Sequence, residues 1–202
     1  MAVDVEFHFD FGSPNAYFCH KLIPDIEKQT GAKFTYFPIL LGGVFKLTNN
    51  RSPMEQFEGV MHKRDYMRLE TMLFIQDHNL TDYKMNPHFP INTVQLMRGA
   101  IVATDEGFLD KYVDAVFTGV WEKELKLDDA DVIIQTLDAA GMKGTHILER
   151  TQEPEIKGGL IKNTSASVER GNFGSPTFFV GDQMFFGKDR LQAVTREIAR
   201  QS

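Results

Sequence analysis

The chain has 202 residues, 42% of them hydrophobic and 25% charged, with a formal net charge of −6. That balance describes one ordinary globular core, or one domain carrying an insertion, and the acidic excess argues against nucleic acid as a bulk partner. No apolar run approaches the roughly 18 residues of a membrane span, the charged opening fits neither a signal nor a transit peptide, and the single cysteine excludes a disulfide framework, so a reducing cytoplasm is the default compartment.

Taken in order, Val3, Val5, Phe7 and Phe9 alternate with Asp4, Glu6 and His8, the period-2 signature of a strand. Phe11-Gly12-Ser13-Pro14 then turns the chain. Ser13 reads as an N-cap and Pro14 as the first helical residue, where its missing N–H costs nothing. A helix start offers unpaired N–H groups and the positive end of the dipole, which stabilise a thiolate, a phosphate or a carboxylate placed against it. Phe18, Leu22 and Ile26 give one helical face, Pro24 is expected to kink or restart the helix, and Gly31 ends it. Cys19, inside this helix beside Phe18, reads as a packed thiol and not as a nucleophile. Lys33–Leu40 reads as a second strand, completing a β-α-β unit with parallel strands and a right-handed crossover.

Leu41-Gly42-Gly43 leaves that strand, and Asn49-Asn50-Arg51-Ser52-Pro53 has the residues of a surface turn. From Met54 to Arg170 strand signals vanish. Met61, Tyr66, Leu69 and Leu73 mark a long helix ending near Asn79. After a proline-punctuated loop, Asn92 or Thr93 caps a helix bearing Met97 and Ile101. Phe108, Tyr112, Val116 and Val120 form another. Asp128 is expected to cap the next, through Ile133 and Leu137 to Gly141, and Ile156, Leu160 and Ile161 sit on the last of the series.

The chain then returns to β structure. Ser175-Pro176 opens a strand, Gly181-Asp182 fits a two-residue hairpin turn, and Leu191, Val194 and Ile198 share a face of the final helix. A trans proline would simply start the strand. One held cis would expose the preceding backbone N–H and C=O to an extended ligand. Asp189 reads as the N-cap of the last helix. Gly181–Asp189 has the wrong spacing for a phosphate loop, and the six histidines lack metal-ligand spacing, so no metal site is expected.

The order of these motifs resembles the DsbA-like branch of the thioredoxin fold: a strand, an S/C-P-x-x helix start, a helical insertion, and a G-x-P-T hairpin. Ser13-Pro14-Asn15-Ala16 lies where that branch carries Cys-Pro-x-Cys. With both cysteines absent no intramolecular disulfide can form, which rules out a thiol–disulfide oxidoreductase. Serine at this position resembles the kappa-class glutathione transferases and the 2-hydroxychromene-2-carboxylate isomerases, which use the sulfur of glutathione.

The resemblance implies an α/β, thioredoxin-like fold (β-α-β … β-β-α) formed by residues 1–45 and 172–202, with residues 46–171 as an inserted helical domain. It also implies glutathione as cosubstrate, a homodimer, and Ser13 as thiolate stabiliser. By the same resemblance Asn50, in the loop where Ser52 replaces a proline, approaches the sulfur or the substrate. Lys63 matches a basic residue near the ligand. Ser175 and Pro176 offer backbone groups, and Lys188 and Asp189 hold the γ-glutamyl end. The expected reaction is isomerisation of a conjugated aromatic-derived 2-oxo acid by reversible addition of the thiolate. A transferase releasing a stable conjugate and a non-catalytic binding or chaperone module are the alternatives.

Overall fold

The computed structural model describes residues 3–202. Strand β1 (Asp4–Phe9) leads into helix α1 (Pro14–Thr30), which returns the chain to β2 (Lys33–Pro38), parallel to β1 with Phe7 opposite Tyr36. After the helices the chain re-enters the sheet as β3 (Thr177–Val180), antiparallel to β1 with Phe7 opposite Phe178, and turns at Gly181-Asp182 into β4 (Gln183–Phe186). The four strands lie in the order β2-β1-β3-β4. Helix α10 (Leu191–Gln201) closes the fold and packs on α1 and β3.

The β1 alternation has the packing consequence expected of it. Val5, Phe7 and Phe9 are fully buried, and Phe7 stacks on Phe178 at 5.1 Å while meeting Tyr36 edge-on at 5.0 Å. Burying each such aromatic side chain contributes on the order of 1.5–3 kcal/mol. α1 runs through Pro24 without restarting, because Tyr17, Phe18, Cys19 and Ile23 are all buried against the core and hold the backbone helical. Gly31 ends it in the left-handed region (φ 72°), where a Cβ would be disfavoured.

Between β2 and β3 lie α2 (Leu41–Thr48), α3 (Pro53–Gln56), α4 (Lys63–Asp77), α5 (Val94–Glu106), α6 (Leu109–Trp121), α7 (Ala130–Ala139), α8 (Gly144–Arg150) and α9 (Pro154–Glu169). Several expectations are corrected here. Leu41–Thr48 is a helix and not a loop, ended by Asn49 in the left-handed region. Ser52 and Glu55 form a capping box that orders the segment after Asn50. Asp129, not Asp128, caps α7 by accepting from Asp131 N. α8 was not anticipated, and Met61 lies before α4, 80% exposed. β2 ends at Pro38, two residues short of Leu40.

Ile156 and Leu160 of α9 are buried, while Ile161 is exposed. α9 packs against β2, and its Ser167 reaches His8 of β1, so this helix covers the sheet face opposite α1. α5 and α6 join the same core: Phe117 of α6 packs on Phe9 and Phe11 at the end of β1. No helix among the described residues is long and apolar enough to cross a membrane.

Candidate active site at the start of helix α1

Ser13 sits where β1 hands over to α1, in extended backbone geometry (φ −98°, ψ 111°), and its Oγ accepts from Ala16 N at 3.2 Å. The turn that presents it is held from below. Asp10 Oδ1 accepts from Gly12 N at 2.8 Å, and the Ser13 N–H donates to Asp10 O at 3.0 Å. Asp10 Oδ2 accepts from Leu41 N at 2.7 Å, which places the carboxylate on the N-terminus of α2, where the dipole favours a negative charge. Burial pushes the Asp10 carboxyl up, while the bonds from Leu41, Gly12 and Thr93 pull it back. Trp121, at the end of α6, donates its Nε1–H to Phe11 O at 2.9 Å. The helical segment therefore grips the same turn from the other side.

Opposite Ser13 lies the loop leading into β3. The Ser175-Pro176 peptide is cis, and the Ser13 hydroxyl donates to Ser175 O at 3.0 Å. This corrects the expectation that both backbone groups before the proline are open to a ligand: the carbonyl is taken. The Ser175 N–H makes no hydrogen bond among the described residues and is the open donor. Ser175 Oγ accepts from Asp10 N at 3.2 Å, tying the loop to the turn a second time. Ser13 is buried, 5% exposed, and lines neither of the two hollows described below.

Asn50 joins the same region. Its Nδ2 donates to Phe173 O at 2.8 Å, two residues before Ser175. On the far side of the proline, Gly187 N donates to Pro176 O at 2.9 Å, so the loop is bonded directly to the residue preceding Lys188 and Asp189. Hydrogen bonds thus link the segments of Asn50, Ser13, Ser175-Pro176 and, through Gly187, Lys188-Asp189, which lie far apart in the chain.

Lys188 and Asp189 stand differently from expectation. Residues Lys188–Arg190 form a 3-10 turn, α10 starts after Arg190, and Asp189 caps nothing with its side chain. Its carboxylate instead accepts from Lys188 Nζ at 2.5 Å. Lys188 is buried, with its ammonium 4.5 Å from the centre of the Phe74 ring, whereas the Asp189 side chain is 62% exposed. The two line a hollow of about 200 Å³ with Tyr66, Leu69, Leu73 and Phe74 of α4. Lys63 is not brought to Ser13. It lies over the rings of Phe57 and Tyr66, at 4.8 and 5.8 Å. A second hollow of about 320 Å³, between α6 and α7, contains none of these residues.

Cys19 is fully buried one turn and a half into α1, and burial pushes its thiol well above the usual range. It can serve neither as nucleophile nor as redox partner. Asp10 and Trp121 were missed as parts of the site. Asp10-Phe11-Gly12 carried a readable signal, since aspartate two residues before a glycine is Asx-turn chemistry. Trp121 carried none.

A mixed sheet entered by β-α-β and closed by a hairpin and a helix, with a helix N-terminus facing a cis-proline loop, defines a thioredoxin-like protein. The chain matches the family model of the DSBA-like thioredoxin domain over residues 4–199 and belongs to that family. It is 24% identical over 193 residues to the 2-hydroxychromene-2-carboxylate isomerase of Sphingobium xenophagum, covering 95% of each chain. It is 24% identical over 202 residues to glutathione S-transferase kappa 1 of Caenorhabditis elegans, covering 94% of this chain and 88% of that one. A solved structure of a 2-hydroxychromene-2-carboxylate isomerase matches with a TM-score of 0.82 at 26% identity, over 98% of this chain and 95% of the other.

Proposed function

We propose that this chain binds glutathione with its sulfur against Ser13 and uses the thiolate to isomerise a conjugated aromatic-derived 2-oxo acid in the cytoplasm. One observation carries the reading: a serine hydroxyl stands at the N-terminus of α1 against the cis-proline loop, in a protein whose single thiol is buried and inert. A sulfur working there has to be brought by a ligand.

A free thiol of this kind titrates near 8.5, so little of it is thiolate at neutral pH. The dipole of α1 contributes roughly 0.3–1 kcal/mol, less than the approximately 1.4 kcal/mol that moves a pKa by one unit. The Ser13 hydroxyl supplies the remainder by rotating its proton from Ser175 O onto the sulfur, exchanging a neutral hydrogen bond for a charge-assisted one. The Ser175 N–H is free to receive the backbone of the tripeptide. The exposed Asp189 carboxylate, oriented by Lys188, suits the γ-glutamyl ammonium, and the backbone at the start of α10 suits its carboxylate. Asn50, bonded to Phe173 O, is assigned to approach the sulfur or the substrate, and Lys63, over the ring of Tyr66, to approach the ligand.

In the reaction the thiolate adds to a conjugated carbon, forming a C–S bond and pushing the electron pair toward the carbonyl. Rotation about the bond that has become single follows, and elimination breaks the C–S bond and returns glutathione unchanged. Ser13 acts as hydrogen-bond donor only, since no base is bonded to its hydroxyl among the described residues.

A second reading is supported by the kappa transferase relative, whose 24% identity equals that of the Sphingobium xenophagum isomerase. In it the C–S bond persists and the conjugate is the product. Titration calorimetry with glutathione, followed by product analysis on a chromene-type 2-oxo acid, separates the readings. Binding with turnover that leaves glutathione unconsumed supports the isomerase. A stoichiometric adduct supports the transferase, and absence of binding leaves a thioredoxin-fold binding or chaperone module.

A further inference from the structure

The site above explains one face of the sheet. The other face holds a buried polar chain that the reaction does not use directly. It begins at His8, whose ring is fully buried beneath α9 and stacks on Phe37 at 4.4 Å. Both ring nitrogens are engaged: Nε2 lies 3.0 Å from Glu6 Oε2 and Nδ1 lies 2.7 Å from Ser167 Oγ. Beyond Ser167 comes Asn172, with Nδ2 at 2.7 Å from Ser167 Oγ. Asn172 Oδ1 accepts from Gly174 N and from Thr177 Oγ1, each at 2.8 Å. Ser167, Asn172 and Thr177 are all at most 1% exposed.

The bonds in this chain have one direction, fixed from both ends. Glu6 is bonded to Arg170 at 2.7 Å. Burial alone would raise its carboxyl, but the bonds from Arg170 and His8 hold it below the usual value, so it is ionised and accepts only. The His8 Nε2 therefore carries the proton. Burial pushes the ring down to about 4, so at neutral pH it is uncharged and Nδ1 is an acceptor. Ser167 must then donate to Nδ1, which leaves its oxygen to accept from the Asn172 amide. That fixes the amide flip and aims Oδ1 at Gly174 and Thr177. The far end requires the same flip, because the Gly174 N–H can only donate; the His8 tautomer and the acceptor that grips both ends of the Gly174-Ser175-Pro176-Thr177 loop therefore agree in one direction.

We propose that His8, Ser167 and Asn172 form a directional hydrogen-bond relay of positioning residues that sets the loop carrying Ser175, and with it the partner of the Ser13 hydroxyl. The consequence for the thiolate rests on the glutathione reading given above; the relay itself does not. The room left for error is small, because a Cβ at Gly174 would come within 2.6 Å of the Phe186 ring. Ser175 is otherwise tied by the Asp10 N bond to its Oγ and by the Ser13 hydroxyl bond to its carbonyl.

Nitrogen NMR of the wild-type histidines, with amide hydrogen exchange at Gly174, tests the relay without any ligand. The expected result is a His8 ring protonated at Nε2 and bare at Nδ1, and a Gly174 amide whose exchange quickens about tenfold or more in Ser167→Ala. The opposite tautomer, or unchanged Gly174 exchange in a folded Ser167→Ala, overturns the relay whatever glutathione does. The tautomer is read on the wild type, so the proposal stays refutable even if the variant folds poorly. With glutathione bound, Ser167→Ala is expected to hold about fivefold less thiolate at neutral pH, read from thiolate absorbance, with its pH titration displaced upward. A lowered melting temperature with an undisplaced titration refutes positioning and leaves a structural role. Failure of the wild type to bind glutathione refutes the functional reading instead, and the tautomer and exchange results still decide the relay.

Discussion

Replacing Ser13 by alanine removes the one hydroxyl to which the thiolate is assigned, and the structure sets the size of the effect. In the free protein the Ser13 proton already serves Ser175 O at 3.0 Å, so the thiolate gains only the difference between a charge-assisted bond and a neutral one. Taking roughly 1.5–3 kcal/mol for the former and about 0.5–1.5 for the latter leaves on the order of 1–2 kcal/mol. Ser13→Ala should therefore raise the pKa of bound glutathione by about one unit and lower turnover roughly 5–30-fold. The same change removes the N-cap bond to Ala16 N and costs about 1 kcal/mol of stability, which a melting curve reports separately. The assay is a pH titration of thiolate absorbance with glutathione saturating each protein. Equal apparent pKa values in wild type and variant would refute the reasoning, since the helix dipole would then suffice alone.

Three further outcomes follow from other contacts. His8 is lowered from 6.5 to about 4, chiefly by burial, against the opposing pull of Glu6. The unfolded chain takes up this proton first, so the stability associated with it is complete above about pH 6.5, falls as the pH drops toward 4, and is flat below. The loss is on the order of 3 kcal/mol. The groups facing the ring are Glu6 on β1, Ser167 on α9, Arg170 just after α9, Phe37 on β2 and Phe179 on β3. Urea unfolding of His8→Gln across that range should show a flatter profile than wild type, and parallel profiles would count against it. Trp121→Phe leaves Phe11 O without its buried donor, and a destabilisation of about 1–3 kcal/mol by urea unfolding is expected. Tyr66, Leu69, Met72 and Leu73 expose an apolar face of α4 among Arg64, Asp65, Arg68 and Glu70, a mixed-charge frame that suits a second copy of the same face. Light scattering should find a dimer that Met72→Asp converts to monomer; a monomeric wild type would contradict the homodimer.

What could be read from sequence was local chemistry, and what could not was chemistry between distant segments. Ser13-Pro14 declared a helix start because cap and first-turn proline act within three residues. The β1 alternation and the Gly181-Asp182 turn were legible for the same reason. Leu41–Thr48 looked like a loop because Gly42-Gly43 weakens a helix and Asn49-Asn50 follows it. It is helical through contacts no window of sequence contains: Asp10 on Leu41 N, Thr164 Oγ1 accepting from Leu40 N, and the buried Val44. Asp189 carries the residue type of a cap, but a 3-10 turn intervenes and Lys188 claims its carboxylate. His8 was one polar member of an alternating strand. Its partner Ser167 is 159 residues away, and only the packing of α9 against the sheet makes the ring a buried, directional group. The spacing of Tyr66, Leu69 and Leu73 correctly announced a helix, yet periodicity did not reveal that this face is left uncovered.

The most direct test of the central claim is a crystal structure of the protein soaked with glutathione. The sulfur is expected within hydrogen-bonding distance of Ser13 Oγ, with the Ser13 proton released from Ser175 O, the cysteinyl backbone paired with the Ser175 N–H, and the γ-glutamyl ammonium on Asp189. Glutathione bound elsewhere, or a sulfur lying away from a Ser13 that still donates to Ser175 O, would contradict it.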